Sequence, residues 1–167
     1  MSAPQPSRPD PKPGFISTSV ADSRYFFADL NPSRRSSLAV VCGGCEHCLP
    51  TYRIERDGFH YCSIEYVHRG RGEVRLAGRS HPLRAGSVFS YGPGVAHVIE
   101  ADTDDPPVKY FVDFVGRDAE RLLRRTGLTL GRAVRLSPHH HLADAFELLL
   151  HDTTHGEAHR DASRRLL

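Results

Sequence analysis

The sequence predicts a mainly β protein, an antiparallel barrel or sandwich followed by C-terminal α-helices. Two observations carry this. Short apolar or alternating runs recur up to residue 116, separated by clusters of Gly, Asp, Asn and Pro. After Gly116 the hydrophobic period changes from two to about 3.6 residues, the period of a helix. A length of 167 residues suits one domain with an appendage, and that size can bury a core.

Residues 1–14 carry five prolines and few apolar groups, so a disordered tail is expected there. A barrel is expected over 15–116. Its first strands are the aromatic run 24–30 and the apolar run 38–42, with Asn31-Pro32 as the break between them. Tyr52 to Arg56 alternates, Asp57-Gly58 reads as a hairpin turn, and residues 60–68 follow as a strand. Gly70 and Gly72 turn the chain into 73–76, and Gly78 turns it again into 81–83. Strands 88–91 and 96–100 flank Gly92-Pro93-Gly94. An acidic, proline-containing loop then leads to 108–115.

The helical part is expected over 117–167. Residues 117–126 form a first helix, stopped by Gly127. Residues 128–136 return as a strand. Ser137 then reads as an N-cap and Pro138 as the first residue of a second helix. Leu142, Ala145, Phe146 and Leu149 form an apolar stripe on it. A third helical pattern starts at Ala158 and is cut off at Leu167.

Composition narrows the function classes. Hydrophobic residues make up 39% and charged residues 25%, ordinary values for a soluble domain. No apolar run approaches the ~18 residues needed to span a bilayer, and the N-terminus lacks the apolar stretch of a secretory signal. A cytoplasmic protein is expected. A formal net charge of +2 does not argue for binding nucleic acid through phosphates.

The most informative segment runs from Tyr61 to His97. Gly86, then Gly92-Pro93-Gly94, then His97 resembles the second sequence motif of the cupin barrels, with Gly92 where a proline is usual. The wider pattern adds residues 111–116 (FVDFVG) and the arginine-rich helix after them. Over roughly 15–167 it is similar to the N-terminal ligand-binding and dimerisation domain of AraC/XylS-type transcription regulators. That resemblance implies a cupin-like double-stranded β-helix barrel that binds a small-molecule effector. It also implies a homodimer formed through the helices, here the stripe Leu142, Ala145, Phe146 and Leu149. DNA contact would come only through a domain absent from this chain.

The resemblance to cupins also bears on metals. A metal-binding cupin places His-x-His and Glu before the first glycine turn. Here those slots fall near Asp57, Phe59 and Ser63, and only His97 remains of the usual four ligands. One imidazole does not hold a divalent ion against water. No cofactor and no enzyme activity are therefore expected. The alternative is a stand-alone cupin enzyme acting on a small sugar or acid, with Glu65 and His97 as its acid–base pair.

Strand alternation then names the cavity-facing residues: Tyr61, Ser63, Glu65, His97, Lys109, Phe111 and Asp113. Acceptors beside aromatic faces suit a small polar molecule, and a sugar fits that mixture. The bland reading of Glu65 is a pair with an arginine such as Arg53 or Arg56. Three further clusters have rival readings. Cys42, Cys45, Cys48 and Cys62 are either packed thiols or a zinc cluster. The histidines at 139–141, 151, 155 and 159 read as a polar linker rather than a metal site. Arg117, Arg121, Arg124 and Arg125 read as a solvated helix face paired with Asp118 and Glu120.

Overall fold

A computed structural model of the chain describes residues 12–151. The tail expected over 1–14 and the third helical pattern fall almost wholly outside the described residues. Ten strands are described: β1 (Val20–Phe27), β2 (Ala39–Cys48), β3 (Arg53–Arg56), β4 (Cys62–Arg69), β5 (Gly72–Leu76), β6 (Arg79–Leu83), β7 (Ser87–Tyr91), β8 (His97–Ala101), β9 (Val108–Val115) and β10 (Ala133–Arg135). Helix α1 (Ala119–Arg125) follows β9. Residues 140–151 are helical and are called α2.

The strands form two antiparallel sheets, ordered β1-β2-β9-β4-β7-β10 and β3-β8-β5-β6. Their facing surfaces enclose a core that includes Val67, Phe89 and Tyr91 from the first sheet and Val74, Leu76 and Ile99 from the second. This is the expected barrel. The outer face of the six-stranded sheet carries a second core, where Leu123 of α1 and Ala143, Phe146 and Leu150 of α2 cover Tyr66, Tyr110 and Phe114. The sheet therefore has apolar residues on both faces, and β7 and β9 are buried along almost their whole length.

Several expected elements differ. β2 runs on through Gly43 and Gly44 to Cys48. A side chain at Gly44 would lie 2.5 Å from the Tyr25 ring and 2.6 Å from the Arg24 carbonyl, so glycine here is what lets the strands close up. Asp57-Gly58 is not a hairpin. β3 pairs with β8, in the other sheet from β4, because Phe59 is buried and turns the chain into the core. Gly70 also connects the two sheets rather than closing a hairpin, with φ +80, whereas Ala77-Gly78 is a true hairpin turn between β5 and β6. β10 lies past residue 116 yet pairs with β7, so the sheet extends beyond the expected end of the barrel.

Ser137-Pro138 is a cis peptide, and α2 begins only at His140. Gly127, with φ +78, ends α1 as expected. The arginine-rich helix is solvated, with Arg121 paired to Asp118 at 3.0 Å and Arg124 to Glu120 at 3.5 Å. No helix among the described residues is long and apolar enough to cross a membrane.

Candidate functional site

β9 builds the site. Its alternation sends Lys109, Phe111 and Asp113 into the barrel, while Tyr110 and Phe114 join the core under the helices. Glu46 stands directly across from Lys109 on β2, and Ser63 directly across from Asp113 on β4. These side chains are all buried, and they are accompanied by Glu65.

The centre is an ion cluster. The Lys109 ammonium lies 2.8 Å from Glu46 Oε2 and 2.8 Å from Glu65 Oε2. It also sits 5.1 Å from the centroid of the Tyr52 ring and 5.5 Å from that of Phe111. Burial opposes its charge, but the two carboxylates outweigh burial and hold its pKa well above the ordinary lysine value. Tyr91 donates to Glu65 Oε1 at 2.5 Å. Tyr52 donates to Glu46 Oε2 at 3.2 Å and Tyr25 to Glu46 Oε1 at 2.9 Å. Burial raises all three phenols, so they remain donors.

Beside this cluster lies a less satisfied group. Burial pushes the Asp113 carboxyl up to about 7. Cys42 donates to its Oδ2 at 3.4 Å, while Oδ1 and the facing Ser63 Oγ have no hydrogen-bond partner. His97 is stacked on Tyr91 with centroids 3.9 Å apart. Burial lowers its pKa, and its Nδ1 lies 3.0 Å from the Val95 carbonyl. A carbonyl only accepts, so Nδ1 carries the proton and the unpartnered Nε2 is a bare acceptor.

The central cavity is small, about 20 Å³, room for one water. Phe15, Ile16 and Ser17 line it beside the ion cluster. Phe15 packs edge-on against Phe59 and Tyr61, and its carbonyl accepts a hydrogen bond from Arg56 Nη2. The Arg56 guanidinium in turn lies 4.7 Å from the centroid of the Phe59 ring. A short stretch of chain ahead of β1 thus forms part of the cavity wall.

This barrel with its trailing helices matches the pattern of the AraC-like ligand binding domain over residues 43–167. The chain belongs to that family. No curated protein matches it significantly. Among solved structures, YhaK of Escherichia coli shares the fold with a TM-score of 0.52 and 14% identity, over 71% of this chain and 52% of that one. A Cupin 2 conserved barrel domain protein of Salinispora arenicola CNS-205 matches with a TM-score of 0.44 and 18% identity, over 74% of this chain and 99% of that one. KdgF of Halomonas sp. matches with a TM-score of 0.38 and 20% identity, over 46% of this chain and 76% of that one.

In this AraC-like domain, Glu65, Lys109, Phe111 and Asp113 of the expected site residues line the central cavity. Ser63 and His97 are buried but do not line it. Tyr61 is half-buried, with its hydroxyl on the Leu30 carbonyl at 3.2 Å. The arginine partner considered for Glu65 is replaced by Lys109. Arg53 pairs instead with Glu55 and Glu100. Sequence reading missed Glu46, Tyr52, Tyr91 and residues 15–17. Glu46 was hidden because the expected strand stops at Cys42, although a period of two from Cys42 places residues 44, 46 and 48 on the same face.

The four cysteines are buried at different places in the core. Cys45 and Cys62 belong to the core under the helices, Cys48 to the core between the sheets, and Cys42 touches Asp113. The four do not converge on a zinc site, and burial pushes all four thiols up, keeping them protonated. At the cupin metal slots Phe59 is packed in the apolar core and Asp57 is exposed, which leaves Ser63 and His97 as the buried polar groups there, a set that does not fit a divalent ion. Glu65 and His97 are not hydrogen-bonded to each other: Glu65 is engaged by Tyr91 and Lys109, and His97 Nδ1 by the Val95 carbonyl.

The expected dimer stripe lies on α2. Phe146 is buried against Tyr110 and Tyr66 of the same chain, Leu142 and Leu149 flank this core, and Ala145 is exposed. A 3.6-residue period marks an apolar face but not the surface it meets. His139 contacts the Tyr66 hydroxyl through Nδ1 at 2.6 Å. His155 and His159 lie outside the described residues.

Proposed function

We propose that this AraC-like domain senses a small polar effector inside the barrel and controls a DNA-binding part of the same regulator. The observation that carries the reading is the buried Lys109–Glu46–Glu65 cluster under residues 15–17, in a domain of a ligand-binding family. Burying such charges costs stability compared with apolar packing, so their presence argues for recognition. The effector meets Glu65, Lys109, Phe111 and Asp113, with Ser63 and His97 behind them and Tyr61 at the rim. Hydrogen-bond donors of a small polar molecule suit these acceptors and the aromatic rings beside them. Displacement of residues 15–17 makes room for it, and an effector acts only by favouring one arrangement over another.

Two copies pair through the outward side of α2, where Leu148 is 66% exposed. Leu148→Asp then yields monomers in sedimentation, and a persisting dimer places the pairing surface elsewhere. The effector reading is tested by titrating sugars, amines and acids into the full chain with calorimetry. Saturable binding at one site per chain is expected, and failure of every class overturns the reading.

A further inference from the structure

The charge of the barrel interior narrows the effector further. Among the described residues, the fully buried charged side chains are Glu46, Glu65, Asp113 and Lys109, three carboxyls against one ammonium. That ammonium is already engaged by two of the carboxylates, so it has little left to offer an incoming anion. The remaining unmet capacity is of the opposite kind. Asp113 Oδ1 has no partner, and Asp113 lines the cavity two residues along β9 from Lys109. Arg56 is the other cation at the cavity. It is half-buried at the rim, with its guanidinium beside the Phe59 ring.

The Lys109 ammonium also shows what this interior accommodates: a compact cation between carboxylates, with the Tyr52 and Phe111 rings beside it. Resting on the effector reading above, we propose that the effector carries a protonated amine. Its ammonium is taken by Asp113 and the free lone pairs of Glu46 and Glu65, against the Phe111 ring. A cavity of about 20 Å³ admits little more than such a head group, so the rest of the molecule occupies space opened by residues 15–17.

The test titrates the full chain at pH 8 with three probe classes. The amines are ethanolamine and 1,4-diaminobutane; the neutral polyols are glycerol and xylose; the anions are acetate and succinate. At least one amine is expected to raise Tm saturably while polyols and anions do not. Asp113→Asn, which keeps the shape and removes the charge, is expected to weaken that amine at least tenfold. Glu46→Gln gives a second reading should the first variant misfold. A polyol or anion that binds while every amine fails overturns the charge inference and leaves the effector reading standing. An amine whose affinity is unchanged in both variants binds elsewhere and also overturns it. Failure of all three classes overturns both.

Discussion

Glu46 stands directly across the β2–β9 ladder from Lys109, and the two side chains meet at 2.8 Å inside the barrel. Glu65 completes the cluster from β4, on the other side of β9. Three adjacent strands of one sheet are thus tied together by a single ammonium. The same β9 presents Tyr110 outward, where its hydroxyl donates to Glu147 of α2 at 2.6 Å. Arg24 of β1 reaches the same carboxylate at 2.5 Å. Interior and helix are therefore linked through neighbouring residues of one strand.

Removing the ammonium leaves two buried carboxylates without their counter-ion. Lys109→Met is expected to destabilise the domain by about 3–5 kcal/mol. Adding Glu46→Gln and Glu65→Gln is expected to recover more than half of that, because no unpaired charge then remains. Urea unfolding at pH 7 checks both. A triple variant no better than the single one rules out charge as the cause.

Asp113 sets a pH dependence. Its folded pKa is about 7 against an ordinary 3.8, so between these values the folded state holds more protons than the unfolded one. Stability from this group therefore falls as pH rises from about 4 to about 7. The groups facing it are Ser63 and Glu65 on β4, Cys42 on β2, Tyr91 on β7 and Lys109 on its own strand. Asp113→Asn is expected to be more stable than the parent at pH 8 by on the order of 3 kcal/mol, with the two converging near pH 4. Parallel pH–stability curves for the two proteins refute this.

Arg56 pins the segment ahead of β1 through the Phe15 carbonyl and the Phe59 ring. Arg56→Ala is expected to speed proteolytic cleavage near residues 12–17 severalfold while the core melts within a few degrees of the parent. An unchanged cleavage rate means the aromatic contacts of Phe15 alone hold the segment.

Phe146 fixes α2 to the sheet, stacked on Tyr110 at 5.4 Å and on Tyr66 at 6.2 Å. Phe146→Ala is expected to cost about 3–5 kcal/mol. Hydrogen exchange over residues 140–151 should quicken more than that of β4 or β9. Equal acceleration throughout shows that α2 and the barrel open as one unit.

Sequence reading reached the barrel, the trailing helices and the inward set Lys109, Phe111 and Asp113, because β9 alternates cleanly between two buried faces. It missed Tyr91 since every residue of β7 is buried, which leaves no alternation to read. It missed Glu46 because the expected strand stops at Cys42. It read Phe146 as part of an outward stripe, whereas this ring meets the chain's own sheet.

What the sequence by itself determined is local: where strands stop, where the period changes, and which side chains share a face. Those follow from backbone geometry and the turn chemistry of nearby residues. What only the tertiary structure decided is partnership across long separations. β3 joins β8 rather than β4, Lys109 rather than an arginine neutralises Glu65, and residues 15–17 wall the cavity beside β9. Such pairings depend on burial and charge between segments far apart in the chain, and periodicity carries no information about which distant segment will supply the partner.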